Sequence, residues 1–221
     1  MLAFGIVSLA GLLIDFLCLV LAGSAISSEI VAGRWTLLRL TTLSSKSIVS
    51  AKHASVRLRY WPWLHVLAGM RCGVVVLLAL WNLDTLRYSS ALDVFLIIGL
   101  FILAAVPYVI EPFWRTQAMT SVGLFFSALN RSTALTVLTA VFGLFALWLV
   151  QAVIVGSVLF IELRAWISLY DNLPEVRSMW PTFIFTSLLI ISFWLLNYSF
   201  YDQLERRSRR RILRRLAMSD V

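Results

Sequence analysis

Few side chains in this sequence could carry chemistry, and most of them lie inside long apolar runs. Asp15 sits in the first run and Arg71 in the second. A charge placed in hydrocarbon costs about 3 kcal/mol or more and marks a functional position by default. Counted inward from the basic stretch between the two runs, both residues lie roughly 12–15 Å deep, at about 1.5 Å per residue. Matching depth predicts an ion pair, Asp15 with Arg71, that holds the first two helices in register. His65, just inside the second run, is a candidate axial ligand for a pigment or haem. His53 lies twelve residues before it, and no further ligand type is spaced to join the two.

The remaining chemistry is defined by what is missing. No G-x-x-x-x-G-K-[ST] phosphate loop, G-x-G-x-x-G, HExxH or CxxC occurs, and no carboxylates are paired for acid–base work. Cys18 and Cys72 stand far apart in apolar runs, which fits neither a disulfide framework nor a metal site. The chain is therefore expected to catalyse nothing itself and to hold no metal or cofactor, and any nucleotide energy must come from a partner.

The elements that must position these residues follow from composition. Of 221 residues, 61% are hydrophobic and 14% charged, with a mean hydropathy of +0.90. A soluble domain carries about 25% charged residues, so a soluble enzyme is excluded. At about 20 residues per span, the apolar runs make about five transmembrane helices. The spans are Leu2 to Ala25, Trp63 to Trp81, Ala91 to about Ile110, a long run from Thr133 to Ile161, and about Pro181 to Tyr201. Glu111-Pro112 is expected to end the third, because proline and charge oppose continuation through lipid. Ala118 to Leu129 is then too short to cross and reads as an interfacial or re-entrant helix. The fold class is all-α and polytopic, with residues 1–201 in the membrane-spanning domain and 202–221 as a basic tail.

Charge sets the orientation. The net charge is +8, and the 27–62 stretch has six basic residues against Glu29 alone. The tail adds seven arginines, and Arg115 and Arg131 bring this group to fifteen of the nineteen Lys and Arg. Basic loops stay inside, so the expected placement is multi-pass in the cell (inner) membrane, with the N-terminus outside and the C-terminus cytoplasmic. Arg206, Arg207, Arg209, Arg210 and Arg211 are expected to bind anionic lipid headgroups, at about 1 kcal/mol per charge. No aromatic residues are interleaved with them, so nucleic acid is not an expected partner.

Two segments carry a family resemblance. Glu29, Gly33, Trp35, Leu38, Thr41, Leu43, Ser44, Ile48, Val49, Ala51 and Lys52 fall in the order and spacing of the cytoplasmic loop of ABC-2 type transporter permeases. Gly123, Leu124, Ser127, Leu129, Arg131 and Ser132 resemble the segment ahead of that family's fifth helix. Together they cover about a fifth of the chain. Thr42 stands where the family usually has proline, and the chain begins at what would be the family's second helix.

The resemblance implies a short helix that seats on a cytoplasmic ATPase, with Gly33, Trp35, Thr41, Leu43, Ser44, Ile48 and Lys52 at the contact. Ser44 or Ser45 can cap it. The implied function is the membrane-spanning subunit of an ABC-2 transporter, with ATP on a partner subunit and further transmembrane subunits beside it. The residues also fit a second reading: a non-transporting accessory subunit of a respiratory or photosynthetic complex, with His65 toward a pigment.

Overall fold

The structure, a computed structural model, describes residues 2–34, 37, 44–81, 91–129, 132–172 and 179–218. Among them it has five long helices: α1 (Leu2–Val31), α2 (Ser45–Trp81), α3 (Ala91–Leu129), α4 (Thr133–Asn172) and α5 (Met179–Met218). All five are long and apolar enough to cross a membrane by length and composition. At about 1.5 Å per residue, the last four run roughly 55–60 Å, well beyond a hydrocarbon core of about 30 Å.

Two expected boundaries are corrected. The third span does not stop at Glu111-Pro112, and Ala118 to Leu129 is no separate dip, because α3 runs unbroken through both. Pro112 removes the N–H that would bond the Tyr108 carbonyl. Arg71 Nη1 donates to that carbonyl instead, and the charge of Glu111 is neutralised by arginines, so neither residue forces the helix to end. The single helix from Ala91 to Leu129 thus replaces a crossing and a dip. Likewise the 45–62 stretch is the first half of α2, and residues 202–218 continue α5 as helix.

α3 is the central helix, packed most extensively on α1 and α5 and also touching α2 and α4. It runs parallel to α1: Asp15 meets Arg115 at one level, and the Ile26 and Ser27 amides meet Ser127 Oγ at another (3.0 and 2.8 Å). The approach is close because Gly123 has no side chain. A Cβ there would stand 2.6 Å from the Ala22 Cβ and 2.8 Å from the Leu19 carbonyl oxygen. α1 ends in a left-handed Gly33 (φ 69°), which stops the helix without a side-chain penalty.

Burial is concentrated toward one end of the bundle. Cys18, Ile26, Val49, Leu64, Leu124 and Ile212 form its core, whereas Leu9, Leu78, Phe145, Phe160 and Leu188 at the other end are exposed. Apolar surface gains nothing by leaving lipid for protein, but it gains about 25 cal/mol per Å² by leaving water. The packed end therefore has the construction of a soluble helical bundle, apolar within and basic without. The exposed end has that of lipid-facing helices.

Candidate functional site

Four charged side chains meet where the two halves join. Arg115 Nε lies 2.9 Å from Asp15 Oδ2 and its Nη1 lies 2.9 Å from Glu111 Oε1. Glu111 Oε2 in turn takes Arg71 Nη1 at 2.7 Å. Asp15 is fully buried, Arg71 and Glu111 nearly so. Several kcal/mol of desolvation attach to each such ion in isolation. Two acids and two bases in one chain of contacts leave the group neutral. The Arg71 guanidinium also lies over the Tyr108 ring, 4.5 Å from its centre. Gly11 makes the approach possible, because a Cβ there would stand 2.8 Å from Arg115 Nη2.

The expected pair of Asp15 with Arg71 is thus corrected. They share one network, but Asp15 binds Arg115 and Arg71 binds Glu111. Depth along two helices could not reveal that a third helix supplies the opposite charge to each. Glu111 and Arg115 are the residues the sequence reading missed as members of the site. Their i, i+4 spacing on one helix face was the available signal.

Hydroxyls and amides continue the polar seam at this level and toward the packed end. Tyr60 bonds Thr120, whose Oγ1 donates to the Thr116 carbonyl at 2.7 Å. Gln151 bonds Asn197 and accepts from Tyr201 at 3.0 Å. These bonds tie α2 to α3 and α4 to α5. The network and seam fix helix register, and every charge in the network has an opposite neighbour. Among the described residues, no three His, Cys, Asp or Glu gather as a metal set.

The expected ATPase contacts divide. Trp35, Thr41 and Leu43 lie outside the described residues. Ser44 is the helix cap, accepting the Ser47 amide at 3.2 Å, and is exposed. Lys52 binds Glu29 at 2.7 Å, and Arg34 binds the other oxygen of Glu29 at 3.1 Å. Ile48 departs from expectation: it is 5% exposed, in the core beside Val49, Ile26 and Leu124. Its apolar side chain holds α2 on the bundle and faces no partner. Of the second segment, Gly123 and Ser127 serve the crossing of α1 and α3.

Arg206, Arg207, Arg210 and Arg211 are exposed on α5, while Arg209 turns inward to Glu205 at 2.8 Å. α5 is fastened to the bundle through buried Ser208 and Ile212, so this basic segment is part of the packed bundle. His65 faces outward, its Nδ1 2.8 Å from the Trp61 carbonyl oxygen. Trp61 and Phe113 lie edge-on to its ring at 4.9 and 5.9 Å.

A scan against protein-family models finds no match, nor does a search of curated proteins or of solved structures.

Proposed function

We propose that this chain is the membrane-spanning subunit of an ABC-2 type transporter, coupling ATP hydrolysis on a partner to movement of a substrate. The observation that supports it is the clasp on Glu29. Lys52 of α2 and Arg34 beyond α1 both hold that carboxylate, at the two ends of the segment that resembles the family's ATPase-facing loop. A push on that segment would load α1 and α2 together. The charge network would then pass the load from both helices to α3, because its members come from all three.

In this reading the packed end is a cytoplasmic stalk in the cell membrane, with the N-terminus outside. Trp61, Phe113, Trp114 and Tyr198 ring one level of the bundle, with Trp61 against Phe113 and Trp114 against Tyr198. Such rings favour the membrane interface. From Trp63 to Trp81 α2 rises about 27 Å at 1.5 Å per residue, close to one hydrocarbon thickness.

The test is mild-detergent isolation of the chain with its partners, read by mass spectrometry, ATP hydrolysis and an absorption spectrum. The expected eluate contains a phosphate-loop protein and hydrolyses ATP, and both are lost when Arg34→Glu and Lys52→Glu are combined. A colourless eluate with no such protein removes the transport reading.

A second reading, an accessory subunit of a respiratory or photosynthetic complex, draws on His65. Its Nδ1 bond to the Trp61 carbonyl leaves Nε2 as the lone-pair nitrogen on an outward, aromatic-flanked face, the arrangement an axial ligand needs. Under this reading the eluate is coloured, and His65→Ala bleaches it.

A further inference from the structure

α2 and α5 touch little, and between them, floored by α3, lies a crevice of about 150 Å³. Its walls bring together Lys46, Ser50 and His53 from α2 with Arg209 and Arg210 from α5, over Leu124 and Ile212. The nearby carboxylate, Glu205, is already engaged by Arg209 at 2.8 Å and by Gln117 at 3.1 Å. Lys46 and Arg210 have no ion-pair partner among the described residues. Positive charge is therefore in surplus inside a recess, which concentrates potential there more than on an open face.

The inner wall of the crevice is built from an engaged pair. Arg209 Nη2 stands 3.4 Å from His53 Nε2 and 3.5 Å from Nδ1, and His53 is buried. A guanidinium offers donors alone, and a neutral imidazole has one acceptor nitrogen. Arg209 donates to the acceptor nitrogen of His53, and the ring is also held by the Gln117 backbone. Arg209 and His53 are thus fixed as the inner wall, and the uncommitted charge is that of Lys46 and Arg210.

We propose that this crevice binds a phosphate group. Lys46 supplies a compact charge, Arg210 a planar fork that matches two phosphate oxygens, and Ser50 a hydroxyl at the mouth. The volume accommodates four oxygens, given about 30 Å³ for each water displaced. On α3 the crevice lies at Ser121 and Leu124, seven to ten residues past Trp114, or roughly 10–15 Å at 1.5 Å per residue. That places it beyond the aromatic ring, within reach of the headgroup layer and of aqueous solutes. The phosphate can belong to a lipid headgroup or to a free phosphorylated solute. The site is independent of the transport reading.

The experiment uses the full chain in phosphatidylcholine nanodiscs, titrated with inorganic phosphate at constant ionic strength and read by ³¹P line broadening. A parallel arm replaces part of the lipid with phosphatidic acid and reads thermal stability. Saturable binding in either arm, weakened tenfold or more by Lys46→Gln with Arg210→Gln, supports the site, and the arm in which it occurs identifies the source. Arg214→Gln with Arg215→Gln removes the same charge from the exposed face of the helix and should leave binding within about twofold. Equal loss in both double variants means diffuse attraction and overturns the proposal, as does a lack of saturation in both arms. Should the first pair fail to fold, Ser50→Glu places a carboxylate at the exposed mouth. It should abolish binding in a folded chain, and unchanged binding in that variant also overturns the site.

Discussion

Arg71 gives the Tyr108 carbonyl the hydrogen bond that Pro112 cannot. A proline four residues on leaves that carbonyl without its helical donor, and a buried acceptor without a partner costs about 1–3 kcal/mol. The arginine thus keeps α3 continuous while its other contact, Glu111 at 2.7 Å, joins it to the charge network. One side chain on α2 compensates two features that would otherwise break α3.

This relationship makes a prediction by double-mutant cycle. Arg71→Leu should destabilise the wild type by about 3–5 kcal/mol, since it removes one partner of a buried pair. In a Pro112→Ala background the Tyr108 carbonyl regains its own helical donor, so the same change should cost less. The two mutations should couple by roughly 0.5–3 kcal/mol, measured by unfolding in mixed micelles. Strict additivity would remove the carbonyl from the account.

The charges themselves make a second. Arg115→Met leaves Asp15 and part of Glu111 facing no cation, and should be among the most damaging single changes, at about 3–5 kcal/mol. Pairing it with Asp15→Leu removes the unpartnered acid and should recover a measurable part of the loss. Thermal unfolding of the four proteins decides this. A double variant worse than the sum of both would show that the pair acts by some other route.

Gly123 carries a third. A methyl group at this position falls on Ala22 and on the Leu19 carbonyl, a backbone atom that cannot swing aside. Gly123→Ala should therefore lower stability by about 1–3 kcal/mol, as overpacking does, despite alanine's better helix propensity. Gly69→Ala, on α2 with open space around the added Cβ, should be neutral or slightly stabilising. Comparing the two melting temperatures isolates packing from propensity.

The fourth concerns which half meets water. With Cys72→Ser removing the exposed native thiol, Ser55→Cys and Arg207→Cys should react quickly with a membrane-impermeant maleimide in inside-out vesicles. Val76→Cys and Leu188→Cys, exposed at the other end, should be protected by lipid. Equal protection at Ser55 would place the packed end inside the bilayer.

Ile48 shows where local reading and packing part company. From sequence it is one apolar residue of a short amphipathic helix, expected at the ATPase contact. In the structure it is buried in a core cluster that also draws on α1, α3 and α5, so Ile48→Ala should weaken the bundle itself. Ser44 is different: its capping role depends on the backbone three residues away, and it was legible as one of two candidates.

Helices, their number and the charge bias along them are local properties, written in run length, hydropathy and the placing of Lys and Arg. The amino-acid sequence by itself therefore determined an all-helical chain with five potential crossings, and singled out Asp15 and Arg71 as buried charges to be explained. The tertiary structure alone decided their partners, the continuity of α3 past Pro112 and the crevice between α2 and α5. Those depend on which helices lie side by side. Contacts such as Asp15 with Arg115, a hundred residues apart, arise from parallel packing that no spacing within one helix encodes.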